Sequence, residues 1–195
     1  ITSASAPAVA LPAHQLTRTR GSRNGSRVAV CVSGQVRTFL SEPVMRGFAE
    51  HLHRDGYEYF LSVDSYVDLA NCSVGPFVRT LFHSPGDPPT RKNCPPGTMM
   101  HTHVSPQMSR MRACYKDVLA QEARTGVRYD FVMRVRPDML FVRQFPHPSS
   151  LLSPRAEVVL FDDQIAVAYR RAAHVICEYP SRAYNECHGR RAWAQ

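Results

Sequence analysis

Tyr-Asp-Phe-Val-Met-Arg-Val-Arg-Pro-Asp-Met-Leu-Phe-Val, Tyr129 to Val142, is the stretch whose reading decides the fold. It opens on Phe131-Val132-Met133, turns polar at Arg134-Val135-Arg136-Pro137-Asp138, and returns to Met139-Leu140-Phe141-Val142. A short apolar run bounded by turn signals reads as a strand buried on both faces, the kind found at the centre of an α/β sheet. Strand alternation puts Arg134 and Arg136 on one face. Pro137 has no N–H to give a sheet, so the strand is expected to end there and leave Asp138 just past its carboxyl end. Open α/β sheets bind ligands at that edge. Two guanidiniums suit phosphate oxygens, and one carboxylate suits Mg²⁺ or Mn²⁺. A structural Arg–Asp pair that only closes the strand is the other reading of the same residues.

Working outward, strands and helices alternate. Val28 to Val32 reads as a buried strand running into Ser33-Gly34-Gln35-Val36-Arg37, a glycine turn with hydroxyl, amide and guanidinium donors. It is neither a dinucleotide fingerprint nor a P-loop, and an ordinary strand-to-helix turn has the same look. Val44, Phe48 and Leu52 recur at helical spacing, which predicts a helix over 41–53. Tyr57 to Val63 is the second strand, with Asp64 at its end, and Phe77 to Phe82 reads as a third, edge-like strand. His51 and His53 are expected to be solvated. His101 and His103, in a Pro-rich loop over 84–104, have no nearby carboxylate and read as incidental rather than as metal ligands.

Ser105-Pro106 predicts a helix start that Gly126 ends, with Gln107 and Arg110 in the first turns, where donors reach an anion. Beyond the central strand, residues 143–156 read as loop and Glu157 to Phe161 as a strand followed at once by Asp162-Asp163-Gln164. Ile165 to Ala168 is a further apolar segment, and 171–178 is expected to be helical with Ala172, Val175, Ile176 and Tyr179 on one face. Parallel strands would bring Ser33 to Arg37, Arg134 to Asp138 and Asp162 to Gln164 to one edge.

Composition bounds the function. The chain has 195 residues, enough for one domain with a core, and is 44% hydrophobic, too apolar for wholesale disorder. Residues 1–27, rich in Ala, Ser, Pro, Thr and Arg, read as a disordered or stem-like lead-in, and 28–195 as a single domain. The net charge is +8, nearly all from Arg, with Lys only at Lys92 and Lys116, which favours anionic ligands. There is no basic block and no Arg–aromatic interleaving, so nucleic acid is not the expected partner. No apolar run reaches the ~20 residues of a transmembrane helix.

The first residue is Ile1, which reads as a processed form or a fragment and leaves room for a membrane-anchored precursor. Cys31 and Cys114 lie in core-like contexts, whereas Cys72, Cys94, Cys177 and Cys187 sit nearer loops, where two disulfides could form. Asn24-Gly25-Ser26 and Asn71-Cys72-Ser73 match the glycosylation acceptor pattern and, with the cysteines, tilt the expected compartment toward the Golgi or ER lumen or secretion.

Three segments, Val32 to Phe39, Tyr129 to Asp138 and Asp162 to Ala168, together resemble a family of GT-A-like glycosyltransferases. The family includes WavE-type lipopolysaccharide-synthesis proteins and related domains of algae, plants and large viruses. The likeness runs from about Arg27 to Tyr179, and Arg-x-Arg-Pro-Asp is its most specific element. It implies a Rossmann-related α/β fold, a mostly parallel open sheet with helices on both faces. It also implies transfer of a sugar from a UDP- or GDP-linked donor to a glycan or other hydroxyl acceptor. Asp138 would be the carboxylate that ligates Mn²⁺ or Mg²⁺. Ser33, Gly34, Gln35 and Arg37, with Gln107, Arg134 and Arg136, would line the nucleotide site. Asp163 or Asp162 would act as general base in an inverting reaction.

Two departures are visible: position 136 is Arg where the family has the first carboxylate of Asp-x-Asp, and the chain is short for this fold, as if truncated at the carboxyl end. Two other readings stand beside the transferase: a non-catalytic binding or structural domain on the same sheet, and an Arg-rich polyanion-binding protein.

Overall fold

Val28–Gly34 forms strand β1 at the centre of a sheet because every residue in it is buried, as its unbroken apolar run predicts. The computed structural model describes residues 25–36, 38–64, 78–82 and 104–181. The expectations for Arg37, Asn24, Asn71, Cys72, Cys94, Cys187, His101, His103 and residues 1–24 lie outside them.

β1 is followed by helix α1 (Glu42–Gly47), which continues into a wide π turn, Phe48–Leu52. Strands β2 (Tyr57–Val63) and β3 (Val78–Phe82), helix α2 (Val104–Thr125) and strand β4 (Phe131–Val135) come next. A short helix α3 (Pro148–Leu151) interrupts what was expected to be loop. Strands β5 (Val158–Phe161) and β6 (Ile165–Tyr169) and helix α4 (Ala173–Cys177) complete the described chain. The fold is α/β, built on an open mixed sheet of six strands in the order β3-β2-β1-β4-β6-β5.

β3, β2, β1 and β4 are parallel; β6 runs antiparallel to β4, and β5 antiparallel to β6. The mostly parallel sheet expected from the sequence therefore holds for the first four strands and gives way to a hairpin. Three residues, Asp162 to Gln164, join β5 to β6. A parallel crossover needs about a dozen or more, so these strands can only pair antiparallel. Two reversals leave β5 pointing the same way as β4, and its carboxyl end returns to the edge where β4 ends.

The strand periodicity sorts the core onto two faces. Val30, Val32, Leu61, Met133 and Val135 face Val44, Met45, Phe48 and Leu52 of α1 and its π turn. Ala29, Cys31, Phe60 and Val132 face Cys114, Tyr115 and Val118 of α2 and Ala173, Ile176 and Cys177 of α4. α2 begins at Val104, one residue before the predicted cap, and ends where Gly126 takes a left-handed φ of 67° and donates its N–H to Glu122 O.

Three expectations need correction. Cys177 is not a loop cysteine: it ends α4 on its buried side and is a free thiol. Val175, expected on the buried face, is 42% exposed, because Ala172, Ala173, Ile176 and Cys177 make the inward stripe. His53 is half-buried rather than solvated, its ring 5.8 Å from that of Tyr59, and burial lowers its pKa.

Candidate functional site at the carboxyl edge of the sheet

Strand order alone marks one place on this sheet. From β1 the chain moves outward to β2 and β3, then returns across β1 to β4 on its other side. The carboxyl ends of β1 and β4 therefore flank a topological switch point, the kind of place where open α/β sheets bind ligands.

Gly34, the last residue of β1, has φ 154°, and a Cβ there would lie 2.8 Å from Cδ of Pro137. Only glycine lets the β1 turn come this close to the Arg136-Pro137-Asp138 corner. Gln35 is exposed past that turn, and the next residue, Val36, donates its N–H to Asp64 Oδ1 at 2.8 Å. The carboxyl ends of β2, β1 and β4 are thus tied into one rim.

β4 ends at Val135, two residues before Pro137, as expected. Arg136 N donates to Gln164 O at 3.1 Å. The Arg136 guanidinium makes a fork to Asp138, Nε to Oδ1 at 2.9 Å and Nη2 to Oδ2 at 2.7 Å, while Nη1 reaches Asp163 Oδ2 at 3.2 Å. Asp138 beside it is the main reason its pKa is raised. Arg134 donates Nη2 to Asp163 O at 2.9 Å, and burial is the main cause of its lowered pKa. Asp162 takes φ 55°, which an Asp tolerates and the tight β5–β6 connection requires.

The structure therefore brings Gly34, Gln35, Arg134, Arg136, Asp138, Asp162 and Asp163 to one edge. Asp138 is mostly covered, with 23% of its side chain exposed, whereas that of Asp163 is 64% exposed. An exposed carboxylate held by a guanidinium can accept a proton from an incoming hydroxyl; a covered one is better placed to hold charge still. Ser33 stands apart from this rim: it is fully buried on the α2 side of the sheet. Gln107 is half-buried in the first turns of α2.

Two contributors were not singled out as site residues on sequence reading. Asp64 follows β2 and fixes the β1 turn; its position at a strand's carboxyl end was the available signal. Ser62 is fully buried opposite Ser33, which only strand register reveals.

Compared with protein-family models, with curated proteins and with solved structures, the chain matches none.

Proposed function

We propose that the switch point between the carboxyl ends of β1 and β4 binds a nucleotide-sugar donor, UDP- or GDP-linked, and that the protein is a GT-A-like glycosyltransferase acting on a hydroxyl acceptor. The observation that carries this reading is the close contact of the Gly34 turn with the Arg136-Pro137-Asp138 corner at the switch point of the sheet. It joins two of the three segments on which the family likeness rests. The third, around Asp163, is bound to the same corner through Arg136.

The rim holds Asp64, Asp138, Asp162 and Asp163 beside Arg134 and Arg136. Carboxylates outnumber guanidiniums among these residues, so a diphosphate is received best together with a divalent cation. Asp138 fits that role: the Arg136 fork fixes its carboxylate just past the end of β4, and its oxygens are hard donors of the kind such a cation takes. Mg²⁺ is commonly held by one or two carboxylates together with substrate phosphates. When bound, the ion supplies Lewis-acid neutralisation of the leaving diphosphate. Arg136 orients both Asp138 and Asp163. In an inverting reaction Asp163, with Asp162 as its neighbouring alternative, takes the proton of the acceptor hydroxyl as that oxygen bonds the sugar and the bond to the diphosphate breaks.

The second reading, a non-catalytic domain, draws on the same fork: a carboxylate gripped at both oxygens by Arg136 also serves simply to close β4.

Thermal-shift titration with UDP and GDP, with and without Mn²⁺, on the natural chain and on Asp138→Ala separates them. The transferase reading expects stabilisation that needs nucleotide and metal and is lost in the variant. The structural reading expects no shift with any nucleotide and a lower Tm for unliganded Asp138→Ala.

A further inference from the structure

Behind the rim, on the α2 side of the sheet, several polar side chains are buried without partners. Ser33 and Ser62 are both 0% exposed, and neither hydroxyl has a hydrogen-bond partner among the described residues. They stand directly opposite each other on β1 and β2. Alternation puts them on the face that also carries Cys31 and Phe60, beneath α2.

Arg110 comes from above. It lies one turn before Cys114 and two before Val118, on the stripe of α2 that meets the sheet, and Cys114 Sγ donates to Phe60 O at 3.2 Å. α2 leads into β4 and runs back against it, so Arg110 is nearer the carboxyl edge than Cys114, at the level of the two serines. It is 8% exposed, its Nε is buried without a partner, and no ion pair reaches it among the described residues. On the third strand of the same face, Arg134 opposite Cys31 also has a buried, unpartnered Nε.

Leaving a buried polar group without a partner is costly, and leaving a charged one so costs more. Two hydroxyls and the Arg110 Nε share this deficit near the amino-terminal turns of one long helix, and Arg134 adds a buried Nε beside the Nη2 that Asp163 O already holds. Hydroxyl and guanidinium donors beside the N–H end of a helix share one natural ligand, an anion of phosphate type.

We propose that Ser33, Ser62, Arg110 and Arg134 form a phosphate pocket under the first turns of α2, which takes a phosphoryl group of the donor's diphosphate. The assignment of that phosphate to a nucleotide rests on the donor-site reading above; the pocket itself rests on the four side chains. Ser33 immediately precedes Gly34, so the pocket adjoins the rim.

The test is calorimetric titration of the full chain with inorganic phosphate, pyrophosphate, UDP, GDP and the free nucleosides, on the natural sequence, Ser62→Ala and Arg110→Met. The pocket requires phosphate-bearing ligands to bind, and each variant to weaken them by about tenfold or more. It also requires unliganded Ser62→Ala to melt no lower than the natural chain, because the lost hydroxyl had no partner to lose; a purely structural serine would lower Tm. Pyrophosphate binding without any preference for nucleoside diphosphates keeps the pocket and removes the donor reading. Nucleoside diphosphate binding unchanged in both variants overturns the pocket and leaves the donor reading in place. If no phosphate compound binds, both fall.

Discussion

Arg136 answers two carboxylates with one guanidinium, and that arrangement rests on a contact made by a residue with no side chain. Gly34 brings the β1 turn against Pro137, and a methyl group at position 34 would meet the ring at 2.8 Å with the backbone at φ 154°. Gly34→Ala is expected to cost about 1–3 kcal/mol, the size of a strained backbone conformation, and urea unfolding would measure it. An unchanged midpoint would mean that the turn yields and that the corner is not rigid. At this scale the sequence was informative where backbone rules act locally. Proline ended β4, and the carboxyl end of the central strand was readable as a polar corner. It was silent where a residue acquires its meaning from a neighbour on another strand. Ser62 reads as one polar residue in an apolar run; only its pairing with Ser33 under Arg110 makes it part of a site.

At the scale of elements, β1, α2 and α4 each contribute one cysteine to the face behind the sheet. Cys31, Cys114 and Cys177 are buried and free. Burial raises the Cys31 and Cys114 thiols, and a hydrogen bond with Cys31 together with burial raises that of Cys177. Thiolate, not thiol, is the nucleophile. All three should therefore resist alkylation at pH 8 in the native chain and react fully in denaturant, which peptide mapping after labelling would show. Rapid native labelling of Cys177 would mean that α4 leaves the sheet readily.

The misreading of Cys177 has a physical origin. α4 is short and half of the inward stripe, Ala172 and Ala173, is alanine, so its apolar period is faint, and Val175 drew the predicted face toward solvent. The β5–β6 hairpin went unrecognised for a different reason. Apolar runs fix strands but not their direction, and the decisive fact was that a three-residue link is too short for any crossover.

For the whole molecule, two carboxylates on α2 give the stability opposite dependences on pH. Glu122 is 8% exposed at its side chain and grips Arg170 in a fork, Nε to Oε1 at 2.8 Å and Nη2 to Oε2 at 2.6 Å, while Oε1 also accepts from Tyr129 N at 3.0 Å. Burial works to raise its pKa, but the hydrogen bonds from Arg170 and Tyr129 outweigh burial and hold it below the ordinary value of 4.5. The pair's stabilisation is therefore present above that value and is lost as pH falls through the lowered one. Asp117 is the reverse case. Burial raises its pKa from 3.8 to about 6, and its Oδ2 is buried without a partner. The folded state binds this proton more tightly than the unfolded chain, so stability falls as pH rises from about 3.8 through about 6. Urea midpoints measured from pH 3 to pH 8 should pass through a maximum on the acid side of neutrality. Asp117→Asn should remove most of the decline toward pH 7 and raise the midpoint there. Glu122→Ala should lower the unfolding free energy at every pH above 4.5 by about 3 kcal/mol, the low end for a broken buried pair because Arg170 keeps 14% of its side chain exposed. It should also flatten the acid limb. Both carboxylates lie on the helix whose amino-terminal turns cover the proposed pocket. A phosphate ligand that stabilises the natural chain should therefore do so undiminished in Asp117→Asn, since that change removes a charge from α2 without touching Ser33, Ser62, Arg110 or Arg134. Loss of the ligand shift in that variant would mean that the helix, and not the four side chains beneath it, determines the binding.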